Sequence, residues 1–213
     1  QGLTNMAISG FNTLDLDAAL TLSSAQWANN NTINISDSSG SGILNLGGTG
    51  ADTAGIIIDA SGLTADAAAV TTVTISGTAF ADTLTGSVLT ETFTQSAGND
   101  NIEGGSTGTD TLTLVAASTD VDGSLTGDLA NGNVINMGTT AIDEATLTSQ
   151  LGNHIGEGTT SVASGTATFS FALGSAATAG SVNIAAVQTI GGFEVVNGGT
   201  GEDYIVGDAN NNT

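Results

Sequence analysis

The chain has 213 residues, 39% of them hydrophobic, and sets 21 acidic side chains against no Lys, no Arg and one His, for a formal charge of -21. Phosphate backbones are gripped through Lys and Arg, so nucleic-acid partners are excluded, and an anionic membrane surface would repel the chain. No apolar run reaches the roughly 18 residues of a membrane-inserted helix, no Cys supplies disulfides or thiolates, and only solvent cations or bound metal, divalent ions first, can offset the self-repulsion.

Residues 1–76 read as short strands and turns: "NMAISGFNTLDLDAALTL", "NTINISDSS", "GILNLGGTG", "GIIIDASG" and "AVTTVTISG". Their spacing of roughly ten to fifteen residues, with β-branched alternation and Gly- or Asn-rich joints, predicts a stack of short strands of the solenoid kind. Trp27, in "SSAQWANNN", reads as a packing anchor or as a platform for a sugar ring. With Gln1 at its start and no charged n-region, the chain reads as a processed protein or a segment of a longer one.

Residues 77–114, "GTAFADTLTGSVLTETFTQSAGNDNIEGGSTGTDTLTL", carry a nine-residue beat. An acid falls in one column at Asp82, Glu91, Asp100 and, after one extra residue, Asp110. Two places later comes a large apolar residue: Leu84, Phe93, Ile102 and Leu112. The spacing predicts a Gly-rich turn, carboxylate outward, followed by a short strand with the apolar residue inward. Strands in a stack lie about 4.7–4.9 Å apart, and calcium takes six to eight oxygens at about 2.3–2.6 Å, so one ion can draw on two stacked turns.

Next, "AIDEATLTSQLGNHIGEG" changes period and predicts one short helix near 142–153, with Asp143 and Glu144 in its first turn and Gly152 or Asn153 as C-cap. His154 follows as a capping or surface histidine; no nucleophile stands at a catalytic spacing from it. From 159 the pattern is β again, and "GGFEVVNGGTGEDYI" returns to the nonapeptide register before "GDANNNT". The expectation is one elongated β-rich domain over 1–213, subdivided at 1–76, 77–114, 115–197 and 198–213.

The repeats resemble the RTX family of secreted bacterial proteins, whose unit is Gly-Gly-x-Gly-x-Asp-x-(large apolar)-x. The best matches are "GGTGADTAG" at 47–55, "GGSTGTDTL" at 104–112 and "GGTGEDYIV" at 198–206. The resemblance implies a calcium-bound parallel β-roll in which two nonapeptides make one turn. Asp82 then shares an ion with Asp100 and Glu91 faces Asp110, while Leu84 stacks on Ile102 and Phe93 on Leu112. It also implies liganding turns at Gly98, Gly105, Gly108, Gly199, Gly201 and Asp203, with Asn212 nine residues beyond Asp203. The chain departs from the family where Phe80 and Leu89 stand for Gly, Glu91 for Asp and Gln95 for Gly, and where Thr107 lengthens a turn.

"GGTGADTAG" is no phosphate cradle, since it lacks the Lys of a P-loop and the strand-loop-helix frame of a dinucleotide site. It reads as a stand-alone calcium turn with Asp52 and Asp59 as ligands. Paired carboxylates could serve a glycosidase, but among 21 acids such pairs arise by chance, so no enzyme is expected. Texture and resemblance together imply a secreted, extracellular, calcium-binding structural protein of a bacterial cell surface. Its partners would be copies of itself, in a surface layer or filament, and cell-surface polysaccharide. The alternative is a carbohydrate- or ice-binding segment of a large adhesin, which a regular outward Thr-x-Thr ladder would favour; "TLTL", "TVTI" and "TATF" each occur once, out of register in the sequence. Having neither Lys nor Arg, these 213 residues should survive trypsin even in denaturant; any fragment on a gel refutes this.

Overall fold

A computed structural model describes residues 10, 12–27, 32–36, 42–66, 72–94, 96, 98–114, 132–140, 142, 146, 166–171, 187–198, 204–210 and 212–213. The protein is mainly β and divides into two compact units, Gln1–Thr113 with Gly191–Val195, and Leu114–Ile190 with Val196–Thr213.

The first unit contains β1 (Thr13–Asp15), β2 (Ala19–Ser23), β3 (Ile33–Ser36), β4 (Ile43–Gly47), β5 (Ile57–Asp59), β6 (Leu63–Ala65), β7 (Thr72–Ser76), β8 (Thr83–Thr85), β9 (Glu91–Thr94), β10 (Asn101–Glu103) and β11 (Thr111–Thr113). Strands β2, β4, β7, β9 and β11 lie side by side in one sheet, β5, β8 and β10 in a second, and β1, β3 and β6 in a third. Their pairings are parallel. From β7 to β11 the chain alternates between the first two sheets, so two short strands and two turns make one coil. This is the β-roll plan, and it lets parallel strands pair without the long crossover that they otherwise need.

Register follows the nine-residue beat. Thr83 pairs with Asn101, a step of two repeats, and Leu84 therefore lies against Ile102. On the other face Phe93 lies against Leu112. The extra residue at Thr107 is absorbed in the turn, where its hydroxyl donates to the Val88 carbonyl at 3.0 Å. Leu84, Phe93, Ile102 and Leu112 are all fully buried, as alternation along three- and four-residue strands requires. The Phe93 ring meets Phe193 edge to face, with centroids 5.4 Å apart.

Successive turns stack at backbone contact. A Cβ on Gly86 would lie 1.9 Å from the Gly104 carbonyl oxygen, and one on Gly104 would lie 2.0 Å from that of Gly192. Only glycine permits this approach. Trp27 is buried, and its ring N–H donates to the Asp59 carbonyl at 3.0 Å, so it is a packing anchor rather than an exposed sugar platform.

In the second unit β12 (Gly132–Asn136) pairs antiparallel with β13 (Thr166–Phe171) and parallel with β16 (Tyr204–Val206), and β13 pairs antiparallel with β14 (Val187–Gly191). Strand β15 covers Val195–Asn197. The helix expected near 142–153 and His154 lie outside the described residues, save for buried Ile142 and for Thr146. Phe93→Ala should cost about 3–5 kcal/mol in a denaturant melt, the usual loss for a buried phenylalanine; a loss below about 1 kcal/mol would contradict its place at the centre of the core.

Candidate functional site

The acids of the nine-residue column do not face solvent. Asp82, Glu91, Asp100 and Asp110 are all buried. The outward carboxylates expected from turn chemistry are corrected by the backbone: each coil leaves an N–H at the turn, and the acid one coil further on is the acceptor that reaches it. The N–H of Asp82 donates to Asp100 Oδ1 at 2.9 Å, and that of Glu91 to Asp110 Oδ1 at 2.9 Å. The pairs expected from the repeat, Asp82 with Asp100 and Glu91 with Asp110, are thus brought together, with the side chain of one on the backbone of the other.

The first column is well supplied with donors. Asp82 Oδ1 accepts from the Ile56 N–H at 2.7 Å and from the Thr78 hydroxyl at 2.9 Å, while Oδ2 accepts from the Thr78 N–H at 2.6 Å and the Ser96 hydroxyl at 3.4 Å. The single Ser96 proton is shared with Asp100 Oδ2, the nearer acceptor at 3.0 Å.

The second column is short of donors. Glu91 Oε1 accepts from the Ser87 hydroxyl, but Glu91 Oε2 is buried with no hydrogen-bond partner. The residue pairing with Glu91 on the preceding coil is Val73, which has no polar group to offer from its side chain. On the other side stands Asp110, whose own N–H donates to Glu194 Oε2 at 2.8 Å. Burial pushes the Asp110 carboxyl up to about 8; the Glu91 N–H opposes the rise, while a side-chain hydrogen bond with the Glu91 carboxylate and then the charges of Glu91 and Glu194 add to it.

Glu194 is the residue that the acid column conceals from a sequence reading. It stands 84 residues from its partner, and its only local signal is the "GGFE" return to the register. Gly104 N–H donates to the Gly191 carbonyl at 2.9 Å, so Gly191–Val195 continues the roll as a further rung.

Asp52 stands off the column. Its carboxylate accepts from the Thr49 N–H and hydroxyl, closing its own turn, and Ile56 holds the rung that faces Asp82. Asp59 closes a turn in the same way on Ser61. Gly98, Gly105 and Gly108 have φ of 119°, 138° and 108°, and a Cβ on them would meet the carbonyl oxygens of Phe80, Ser87 and Leu89 at 2.4, 2.1 and 2.0 Å. Phe80 and Leu89 therefore take part through their carbonyls, and the Phe80 ring is 41% exposed instead of filling the turn. Asn212 lies in the second unit, where the Asn210 N–H and then the Asn212 side chain hold Asp208 below the usual carboxylate range. Gly199, Gly201 and Asp203 lie outside the described residues.

Among the described residues, no three His, Cys, Asp or Glu side chains converge as a ready ion cage, because the carboxylates are aimed at N–H groups. The donor set nonetheless suits a hard cation. It combines an orphaned carboxylate oxygen on Glu91 with a second carboxylate, Asp110, that is raised chiefly by burial. No protein-family model, curated protein or solved structure matches the chain.

Between the unfolded value of 3.8 and the folded value of about 8, the native state keeps a proton on Asp110 that the unfolded chain has released. This contribution to stability is complete below the lower value and is lost as pH rises through the upper one. Denaturant midpoints in chelator should fall across that window, and more shallowly in Asp110→Asn. Equal slopes in the two proteins would show that Asp110 is not the group responsible.

Proposed function

We propose that this chain is a calcium-binding structural module, secreted to a bacterial cell surface, that assembles with copies of itself into a surface layer or filament. The observation that carries the reading is the buried second column, in which Glu91 Oε2 has no partner and Asp110 is flanked by acids in a chain of 213 residues without one Lys or Arg. Glu91 and Asp110 would hold the ion. Calcium fits because it accepts many oxygen ligands in irregular arrangements. When bound it supplies positive charge that the sequence lacks.

Ion binding to the folded state alone adds stability by mass action, about 2.7 kcal/mol at one hundred times the dissociation constant. A chain that repels itself where free calcium is scarce would therefore tighten where it is plentiful. Self-assembly is supported by the ends of the roll: β2 and β5 close their rows of described strands, and such edges offer unpaired N–H and C=O groups to another copy.

A second reading, a ligand-binding face for carbohydrate or ice, is favoured by one specific observation. "TVTI" and "TLTL", isolated in the sequence, come into register in the first sheet: Thr74, Thr92 and Thr111 form one outward column, and Ser76, Thr94 and Thr113 the next. No acid interrupts these two columns. On the adjoining rungs a hollow of about 330 Å³ opens between Thr21, Asn45, Gly47 and Thr74. "TATF" belongs to β13, in the second unit.

Chelation should reduce β circular dichroism and dissolve assemblies seen by electron microscopy, and both should return with calcium. Unchanged β content and intact assemblies after full calcium removal would sink the structural reading. For the second reading, calcium-loaded monomer should retain neutral glycans on an array or arrest ice growth, and Thr92→Asp should abolish it. Neither activity in the wild type discards that reading.

A further inference from the structure

The second acid column ends on a segment that the chain delivers late. Between Asp110 and Glu194 lie β11 and then residues 114–190, yet Gly191–Val195 docks on the roll as its next rung. Five contacts fasten it. Asp110 N–H donates to Glu194 Oε2 at 2.8 Å; the N–H groups of Glu194 and Val195 donate to the Asp110 carbonyl at 3.2 and 3.0 Å; Gly104 N–H reaches the Gly191 carbonyl; and Phe193 meets Phe93 edge to face.

Docking brings a third carboxylate to a column already short of positive charge. Glu91 is fully buried, with Oε2 unpartnered, and Asp110 next to it is buried between Glu91 and Glu194. Glu91 and Asp110 cannot separate without breaking the β9–β11 pairing that seats Phe93 on Leu112. Glu194 reaches the column from outside the nine-residue repeats, on a segment held by the contacts above and by the pairing of β15 with β11. Repulsion in the column therefore bears on the docking of 191–195.

We infer that cation binding at Glu91 and Asp110 is coupled through Glu194 to the docking of residues 191–195 on the roll. The inference rests on the cation-binding reading above and adds to it a residue outside the repeat motif and a consequence for the fold. The ion lifts the repulsion that opposes docking; by reciprocity, the docked carboxylate raises affinity for the ion. Glu194 acts here as a positioning and charge-completing residue, since its Oε2 is already engaged by the Asp110 N–H.

The test is amide hydrogen exchange on the full chain with calcium or chelator. Calcium should slow exchange at Glu194 and Val195 far more than at Asn101, whose N–H donates to the Asp82 carbonyl in the first column. In Glu194→Gln, which keeps the acceptor and loses the charge, exchange at Val195 should be slow with or without calcium. Its calcium affinity should fall about tenfold, within the usual range of coupling between sites. Phe193→Ala, which loosens the segment without touching a carboxylate, should also lower calcium affinity. Wild-type affinity in both variants, or calcium binding that leaves Glu194 and Val195 exchange unchanged, overturns the coupling alone; no calcium binding by the wild type overturns the coupling and the cation reading together.

Discussion

The hydrogen bond from the backbone N–H of one acid to the carboxylate of the acid one coil later organises the roll. Strands β8, β10 and β11 have three residues each, too few for a pairing that would hold by itself in water. The carboxylate continues the ladder through the turn, where a strand would otherwise stop, and a hydrogen bond of this sort is worth about 0.5–1.5 kcal/mol net. The same bond sets the depth of the turn. With Asp100 reaching back to the Asp82 N–H, and Asp110 to that of Glu91, the glycines of one turn are pressed against the carbonyls of the next.

This device places negative charge in a dry interior, and the two columns answer for it differently. Around Asp82 and Asp100, the hydroxyls of Thr78 and Ser96 and the N–H groups of Ile56 and Thr78 occupy the carboxylate lone pairs. Around Glu91, Ser87 donates to the carboxylate, and the coil beneath presents Val73. One column is internally neutralised by dipoles, the other leaves a carboxylate oxygen without a donor, and the supply of donors is therefore uneven along a repeat that looks uniform in sequence.

Much of the fold could be read before any coordinates. Alternation and the nine-residue beat picked out Leu84, Phe93, Ile102 and Leu112 as interior residues, the family resemblance implied that Leu84 stacks on Ile102 and Phe93 on Leu112, and Thr107 proved a lengthened turn that leaves the register intact. The site was legible in its residues and not in its orientation. Asp82, Glu91, Asp100 and Asp110 were found from their spacing, but turn chemistry points such residues outward, and nothing local announces the buried N–H they serve. Asp52 illustrates the opposite error: within a good repeat it satisfies only its own turn, because the coil from β4 to β5 is longer and Ile56 reaches the rung first. The threonine columns were hidden by the same limit, since "TVTI" and "TLTL" become neighbours only once their strands are wound into one sheet.

Composition and period by themselves determined that this protein is β, which side chains fill the interior, and that its charge must be met from outside. These are local or summed properties: side-chain alternation, turn propensity and a count of ionisable groups. Tertiary structure decided where each carboxylate's lone pairs go. The donors that settle it lie 18, 19, 26 and 84 residues from their acceptors, brought there by stacking, so Glu91 Oε2 is left bare and Glu194 joins the column for reasons that no window of sequence contains.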